Sequence, residues 1–97
     1  MILEIAEVQV QAGTGPQFEA AIKESLEKYI SSIDGFISGE VQRGIEDPER
    51  FILLIQWETV EAHTVNFRES ESYKKHRELV GSFFAKPPFV QHFEQVD

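Results

Sequence analysis

The sequence contains no cysteine, which excludes disulfide bonds, thiolate nucleophiles, iron–sulfur clusters and cysteine-based zinc sites. Basic residues are also scarce, because nine lysines and arginines stand against 17 acidic residues and give a formal net charge of −8. Such a chain is repelled by phosphate backbones and anionic lipid, so we expect no nucleic-acid partner and no membrane partner. The longest aliphatic or aromatic run, Phe51–Ile55, is far shorter than the ~20 residues of a membrane span.

The N-terminal stretch carries acids among its apolar residues and has no basic leader, which is not the pattern of a signal peptide. We therefore expect a cytoplasmic protein. Its 97 residues suit a single domain over 1–97. A hydrophobic content of 41%, with 11% aromatics, is too high for a disordered chain.

Hydrophobic periodicity predicts four strands and three helical segments. The strands cover residues 2–10, 36–43, 51–57 and 89–96. One helix runs from Pro16 to Ile33, a second from Thr59 to about Phe67, and a third from Ser70 or Ser72 to Phe83. The order β-α-β-β-α-β predicts an α+β fold of the ferredoxin-like, split βαβ type, with helices on one face of a four-stranded antiparallel sheet.

The third predicted strand is apolar on both of its faces. Phe51, Leu53 and two further residues line one face, whereas Ile52 and Leu54 lie on the other. A strand of this kind is covered on both sides, and the chain has helices enough to cover only one. The second face is therefore expected to pack against a second copy of the chain, as a homodimer.

Three segments of the second half carry a family resemblance. They are Trp57–His63 (WETVEAH), Ser70–Tyr73 (SESY) and Leu79–Phe84 (LVGSFF). Together with Gly35-Phe36 and Asp47-Pro48, they resemble the antibiotic biosynthesis monooxygenase (ABM) family. The resemblance implies a dimeric α+β barrel. It also implies activities that vary between members: some oxygenate aromatic polyketides or quinols without metal or flavin, one branch degrades haem, and others process small signalling molecules.

From this resemblance we expect a cofactor-independent monooxygenase that uses O2 on a small aromatic, quinol or polyketide-like molecule. In the polyketide-oxygenating branch, a polar residue is followed by an aromatic four residues later and by a tyrosine six residues after that. His63, Phe67 and Tyr73 have this spacing. His63 is then the expected base or hydrogen-bond partner, since imidazole titrates near neutral pH. Tyr73 is expected to hydrogen-bond a substrate oxygen, and Phe67 to clamp the ring.

Three further residues are candidates for the same site. Asn66 can donate to a ketone or quinol oxygen, and Trp57 can stack on a planar substrate. Arg77 lies in the only basic cluster of the sequence, Lys74–Arg77, which can attract an anionic ligand. Each has a plainer interpretation: an exposed helix amide for Asn66, a core residue for Trp57, and a solvated helix face for the basic cluster. A packed core ring is likewise the plainer interpretation of Tyr73.

Other functions are less well supported by the sequence. In the haem-degrading branch the iron-ligating histidine follows the aromatic that matches Tyr73 by four residues, a position occupied here by Arg77, so haem binding is disfavoured. A metal site would require His63, His76 and His92 to converge from three distant segments, and none is expected. The main alternative is a dimeric binding or stress-associated protein that holds a small hydrophobic ligand without chemistry.

Overall fold

The computed structural model describes residues 1–97. Its strands are β1 (Ile2–Gln9), β2 (Phe36–Arg43), β3 (Arg50–Trp57) and β4 (Phe89–Phe93). Helix α1 (Gly15–Ser25) continues as a π-helical turn, Leu26–Ile30, and helix α2 (Glu71–Val80) continues as a 3-10 turn, Gly81–Phe83. Between β3 and α2 lies a second π-helical stretch, Ala62–Phe67, which we call the π segment.

The four strands form one antiparallel sheet in the order β2-β3-β1-β4. This element order and topology confirm the predicted ferredoxin-like α+β fold. Strands β1 and β3 occupy the centre, and their register places Glu4 opposite Ile55 and Ile2 opposite Trp57. Strand β4 lies at the edge next to β1, with His92 opposite Glu4. The two positions that flank Glu4 across the sheet are therefore Ile55 and His92.

Two of the predicted strands extend past their observed C-terminal ends. The last strand ends at Phe93 and not at residue 96, because β1 offers partners only as far as the Leu3–Phe93 pair. The first strand ends at Gln9, and Val10 makes only an isolated bridge to Phe84. The remaining strand positions follow the predicted alternation.

The hydrophobic core lies between the sheet and the helices. The alternate β3 residues predicted to share a face are buried there: Phe51, Leu53, Ile55 and Trp57. Helix α1 contributes Phe18 and Ile22 from its apolar stripe. Since such a stripe recurs every three to four residues, one face of α1 meets the sheet and its lysines and glutamates remain exposed.

The opposite face of the sheet carries apolar side chains that no element of the chain covers. Phe89 is 56% exposed and Phe93 45% exposed. The cross-strand register gives this face the additional half-buried residues Leu3, Ile5, Ile52 and Leu54. We call this surface the open sheet face. None of the helices is both long enough and apolar enough to span a membrane.

Candidate active site

A small, mostly apolar pocket lies between the sheet and the helices. Its cavity volume is about 70 Å³. Its apolar wall comes from core residues of β1, β3 and α1. Its polar and charged lining residues are Glu4, His63, Arg68, Tyr73, His76 and Arg77. Arg68 and Arg77 are exposed, so the pocket is buried at its carboxylate end and positively charged near its exposed rim.

The π segment sets the position of His63. Thr59 caps its start, since Thr59 Oγ1 accepts a hydrogen bond from the backbone N–H of Ala62 at 3.1 Å. At its end the backbone N–H of Arg68 donates to the carbonyl of His63 at 3.2 Å, a bond that spans five residues and widens the turn. π-helical turns of this kind are frequent at functional sites.

Gly35 fixes where the π segment meets the sheet. Its φ angle is +96°, the left-handed conformation that its place after the first helix predicts. A Cβ atom at this position would lie 2.5 Å from Cβ of Ala62. The carbonyl of Gly35 also accepts a hydrogen bond from the backbone N–H of Glu58 at 2.8 Å. Only glycine therefore allows the segment that bears His63 to approach this closely.

His63 belongs to an aromatic cluster. Its ring stacks on Trp57, with centroids 5.5 Å apart and an interplanar angle of 18°. It also meets Phe67 at 6.2 Å and 26°, and Phe67 lies 6.0 Å from Trp57, so these three rings contact one another. Phe67 in turn contacts Tyr73 edge-on, at 5.2 Å and 90°. The three residues at the predicted spacing are thus brought together, and all three line the pocket.

Glu4 is the buried carboxylate of the site, and only 5% of it is exposed. Trp57 Nε1–H donates to Glu4 Oε1 at 2.9 Å. Burial raises the pKa of Glu4, while the Trp57 hydrogen bond and the positive charge of Arg68 act in the opposite direction. A carboxylate with a raised pKa is a stronger base than an ordinary one, which makes Glu4 a candidate proton acceptor.

His63 is 3% exposed, and burial lowers its pKa to about 3, with a further contribution from the positive charge of Arg68. Its Nδ1 lies 2.8 Å from His92 Nε2, and its Nε2 lies 3.5 Å from Glu4 Oε1. The ring is therefore neutral at pH 7 and bridges two titratable groups. This corrects the sequence-based expectation that the imidazole of His63 titrates near neutral pH.

A second histidine of the pocket is held by a buried serine. His76 Nδ1 lies 2.7 Å from the hydroxyl of Ser25, which is fully buried. Burial lowers the pKa of His76 to about 4, so this ring is also neutral. If the Ser25 hydroxyl donates to Nδ1, the ring proton lies on Nε2, where it can donate to an oxygen. His76 is thus partly buried within the site, whereas the sequence favoured a solvated basic helix face.

The remaining predicted site residues differ in their positions. Arg77 lines the pocket, and its guanidinium carbon lies 5.8 Å from the ring centroid of Phe84. Trp57 is fully buried behind His63 and does not line the pocket. Asn66 is exposed, and its Nδ2 donates to the carbonyl of Asp34 at 3.0 Å. The structure therefore gives Trp57 a core position and Asn66 a contact that ties the π segment to the preceding loop.

The histidines come closer together than the sequence suggested. His63 and His92, 29 residues apart, are hydrogen-bonded, and the ring of Phe67 lies between His63 and His76, with its centroid 5.5 Å from that of His76. The segments that carry His63 and His92 thus converge, whereas Phe67 separates His76 from His63. No group of three or more histidines and carboxylates is arranged to hold a metal ion.

Residues 1–79 match the family model of the antibiotic biosynthesis monooxygenases. The chain belongs to this family. An ABM relative of known structure, from Bordetella bronchiseptica, shares 39% identity with a TM-score of 0.92, and the match covers 98% of this chain and 96% of that one. The match to Bacillus subtilis (strain 168) YczJ, itself uncharacterized, is 32% identical over 99% of this chain and all of that protein.

The ABM fold also extends to distant relatives. SnoaB of Streptomyces nogalater, a cofactor-independent oxygenase, superposes with a TM-score of 0.84 at 11% sequence identity, over 99% of this chain and 93% of that one. At this identity the likeness shows a shared fold and nothing about the reaction. The activity of this ABM protein therefore has to be argued from its own pocket.

Proposed function

We propose that this ABM protein is a monooxygenase that inserts oxygen from O2 into a single-ring quinol or phenol, without a resident cofactor. One observation carries the proposal. A buried carboxylate with a raised pKa, Glu4, lines the same apolar pocket as two neutral histidines, His63 and His76. Groups of this kind can take a proton from a ring hydroxyl and hold the resulting anion in a water-poor site.

The size of the pocket favours a small substrate. A cavity of about 70 Å³ holds only a few water molecules, and an apolar cavity of about 150 Å³ accepts benzene. A single ring therefore fits if side chains near the exposed rim, such as Arg77, move outward. A fused polycyclic ring system would require the core itself to open, and we assign the smaller class of substrate.

The reaction balances without an external reductant. Glu4 takes the proton of a ring hydroxyl, and the phenolate transfers an electron to O2. Recombination forms a carbon–oxygen bond and a ring peroxide. Cleavage of the O–O bond then leaves one oxygen atom on the ring and releases the other as water. All the electrons that reduce O2 come from the quinol, which leaves as a hydroxyquinone.

The charged and donor groups of the pocket stabilise the anion. The guanidinium groups of Arg68 and Arg77 lie near the exposed rim and favour a negative charge on the substrate. His76, in the tautomer set by Ser25, donates its Nε2 proton to a substrate oxygen. Tyr73 supplies a further hydroxyl, and its ring is fixed edge-on against Phe67.

The experiment is aerobic turnover of a panel of substituted hydroquinones by metal-free protein, followed by oxygen uptake and product mass. We expect incorporation of one atom from labelled O2, and a loss of about 10²–10⁴-fold in kcat/KM for His63→Ala. Val65→Ala is the matched control, because Val65 lies on the same π segment but is 44% exposed. Absence of O2 consumption across the panel rejects the oxygenase.

The alternative is a protein that binds a small hydrophobic ligand without chemistry, and the predominantly apolar lining of the pocket favours it. The same experiment separates the two functions. A hydroquinone that binds to the wild-type protein, measured by calorimetry, and is recovered unchanged under O2 identifies a binding protein.

We also propose that two copies associate through the open sheet face. The exposed rings of Phe89 and Phe93, next to the half-buried apolar residues of the same face, support this. Sedimentation equilibrium is expected to give twice the chain mass of 11.1 kDa, and Phe93→Lys to shift the protein toward the monomer. Ile45→Lys is the control, since Ile45 is 92% exposed outside the sheet. A stable wild-type monomer at micromolar concentration contradicts the proposal.

A further inference from the structure

Glu4, His63 and His92 lie next to one another from the pocket to the edge of the sheet. Glu4 lines the pocket, whereas His92 is not among its lining residues. His92 lies on the edge strand β4 directly across from Glu4 and is only half-buried. The three residues therefore connect the buried carboxylate to an imidazole that water can reach.

We propose that His92 stores the substrate proton during oxygenation and returns it to the departing oxygen, so that Glu4, His63 and His92 act as one proton relay. This proposal rests on the proposed oxygenase function. It adds a residue that touches neither the pocket nor the substrate and acts only through His63.

Each proton that moves in the relay has a defined donor and a defined acceptor. At rest Glu4 is ionised and His63 carries its proton on Nδ1, which donates to His92 Nε2. Glu4 accepts the substrate proton and passes it to His63 Nε2. In the same shift the Nδ1 proton of His63 moves to His92, which becomes an imidazolium. When the O–O bond breaks, both shifts reverse, the proton reaches the leaving oxygen as part of water, and each ring recovers its starting tautomer.

Burial and charge explain why the proton would not remain on His63 or on Glu4. His63 is almost completely buried beside the positive charge of Arg68, and its pKa is lowered even though the Glu4 carboxylate lies 3.5 Å from Nε2, so an imidazolium there is disfavoured. A proton left on Glu4 stays next to the substrate anion and can return to it before O2 reacts. On half-buried His92 the charge is solvated by water and lies apart from the anion.

The distances suit this transfer. The His63–His92 separation of 2.8 Å is that of a good hydrogen bond. The 3.5 Å between His63 Nε2 and Glu4 Oε1 is longer, as proton-transfer contacts often are before a substrate binds. A shift of less than 1 Å brings the second contact into hydrogen-bond range.

The first test uses His92→Gln, because glutamine can still hydrogen-bond to His63 Nδ1 but cannot hold the proton. We expect kcat to fall about 10²-fold with KM little changed, and added imidazole to restore part of the activity in His92→Ala. Glu94→Gln is the control, since Glu94 is exposed two residues further along and lies outside the sheet. A His92→Gln variant with wild-type kcat overturns the proposal.

The second test does not depend on turnover. In ¹⁵N-labelled resting protein, protonation of His92 on acidification should switch neutral His63 from its Nδ1–H to its Nε2–H tautomer, and the switch should be absent in His92→Gln. A His63 tautomer that stays constant over the same acidification overturns the relay. If the switch is present but no quinol is consumed by wild-type protein, the relay stands as a proton path and the oxygenase function fails.

Discussion

Glu4→Gln is expected to lower quinol turnover by about 10²–10⁴-fold while the protein remains folded. The amide keeps an oxygen that accepts the Trp57 Nε1–H bond, so the buried indole donor is not left without a partner. What the amide lacks is the basic oxygen that takes the substrate proton. The loss should appear mainly in kcat, measured by oxygen uptake at saturating hydroquinone, because the shape of the pocket hardly changes.

Glu7→Gln provides the matched control for this substitution. Glu7 lies on the same strand, three residues along and on the open sheet face, where it forms an exposed ion pair with Arg50. Both substitutions remove one negative charge from β1, but only Glu4 lies in the pocket. Equal effects of the two variants, or full activity of Glu4→Gln, would contradict the assignment of Glu4 as the base.

Gly35→Ala is expected to destabilise the protein by about 2–5 kcal/mol. The left-handed φ angle of Gly35 costs a non-glycine residue roughly 1–2 kcal/mol. The added methyl group also collides with Ala62, and overpacking of this kind costs about 1–3 kcal/mol. The measurement is chemical denaturation followed by circular dichroism. Because Ala62 is adjacent to His63, residual activity should fall in the folded fraction as well.

Two further variants separate the cost of the positive φ angle at Gly35 from the cost of the collision with Ala62. Gly13 also has a positive φ angle, but a Cβ atom there would meet nothing within 4 Å, so Gly13→Ala should cost only the roughly 1–2 kcal/mol of backbone strain. Adding Ala62→Gly to Gly35→Ala removes the collision and should recover part of the lost stability. If Gly13→Ala and Gly35→Ala are equally stable, the close approach of the π segment is not a constraint.

Alternation in the sequence was sufficient to predict the sheet and its faces. Phe51 and Trp57 lie on the buried face of β3 as their spacing required, because a period of two admits only two assignments and the helices cover just one face. The same period-two alternation also points to a functional residue that the list of candidates lacks. Glu4 falls on the buried face of β1 between apolar neighbours, and a carboxylate in such a position is a candidate for a functional group.

The pairing of His63 with His92 could not be predicted in the same way. It depends on β4 lying next to β1 and on the register that sets His92 opposite Glu4, and neither is encoded locally in the eight residues around His92. The π-helical form of the segment that carries His63 could not be predicted either, because its apolar spacing resembles that of an ordinary α-helix. Tertiary contacts at Gly35, and not local propensity, determine where this segment lies.

The stacking of Trp57 on His63 has a practical consequence. Trp57 is the only tryptophan in the sequence, so every photon of indole fluorescence originates from a ring that also hydrogen-bonds to Glu4. The protein thus carries its own optical probe, placed against the buried carboxylate of Glu4 and the neutral imidazole of His63. Ligand entry, proton movement and loosening of the interior can all be followed at one wavelength, without attaching a dye.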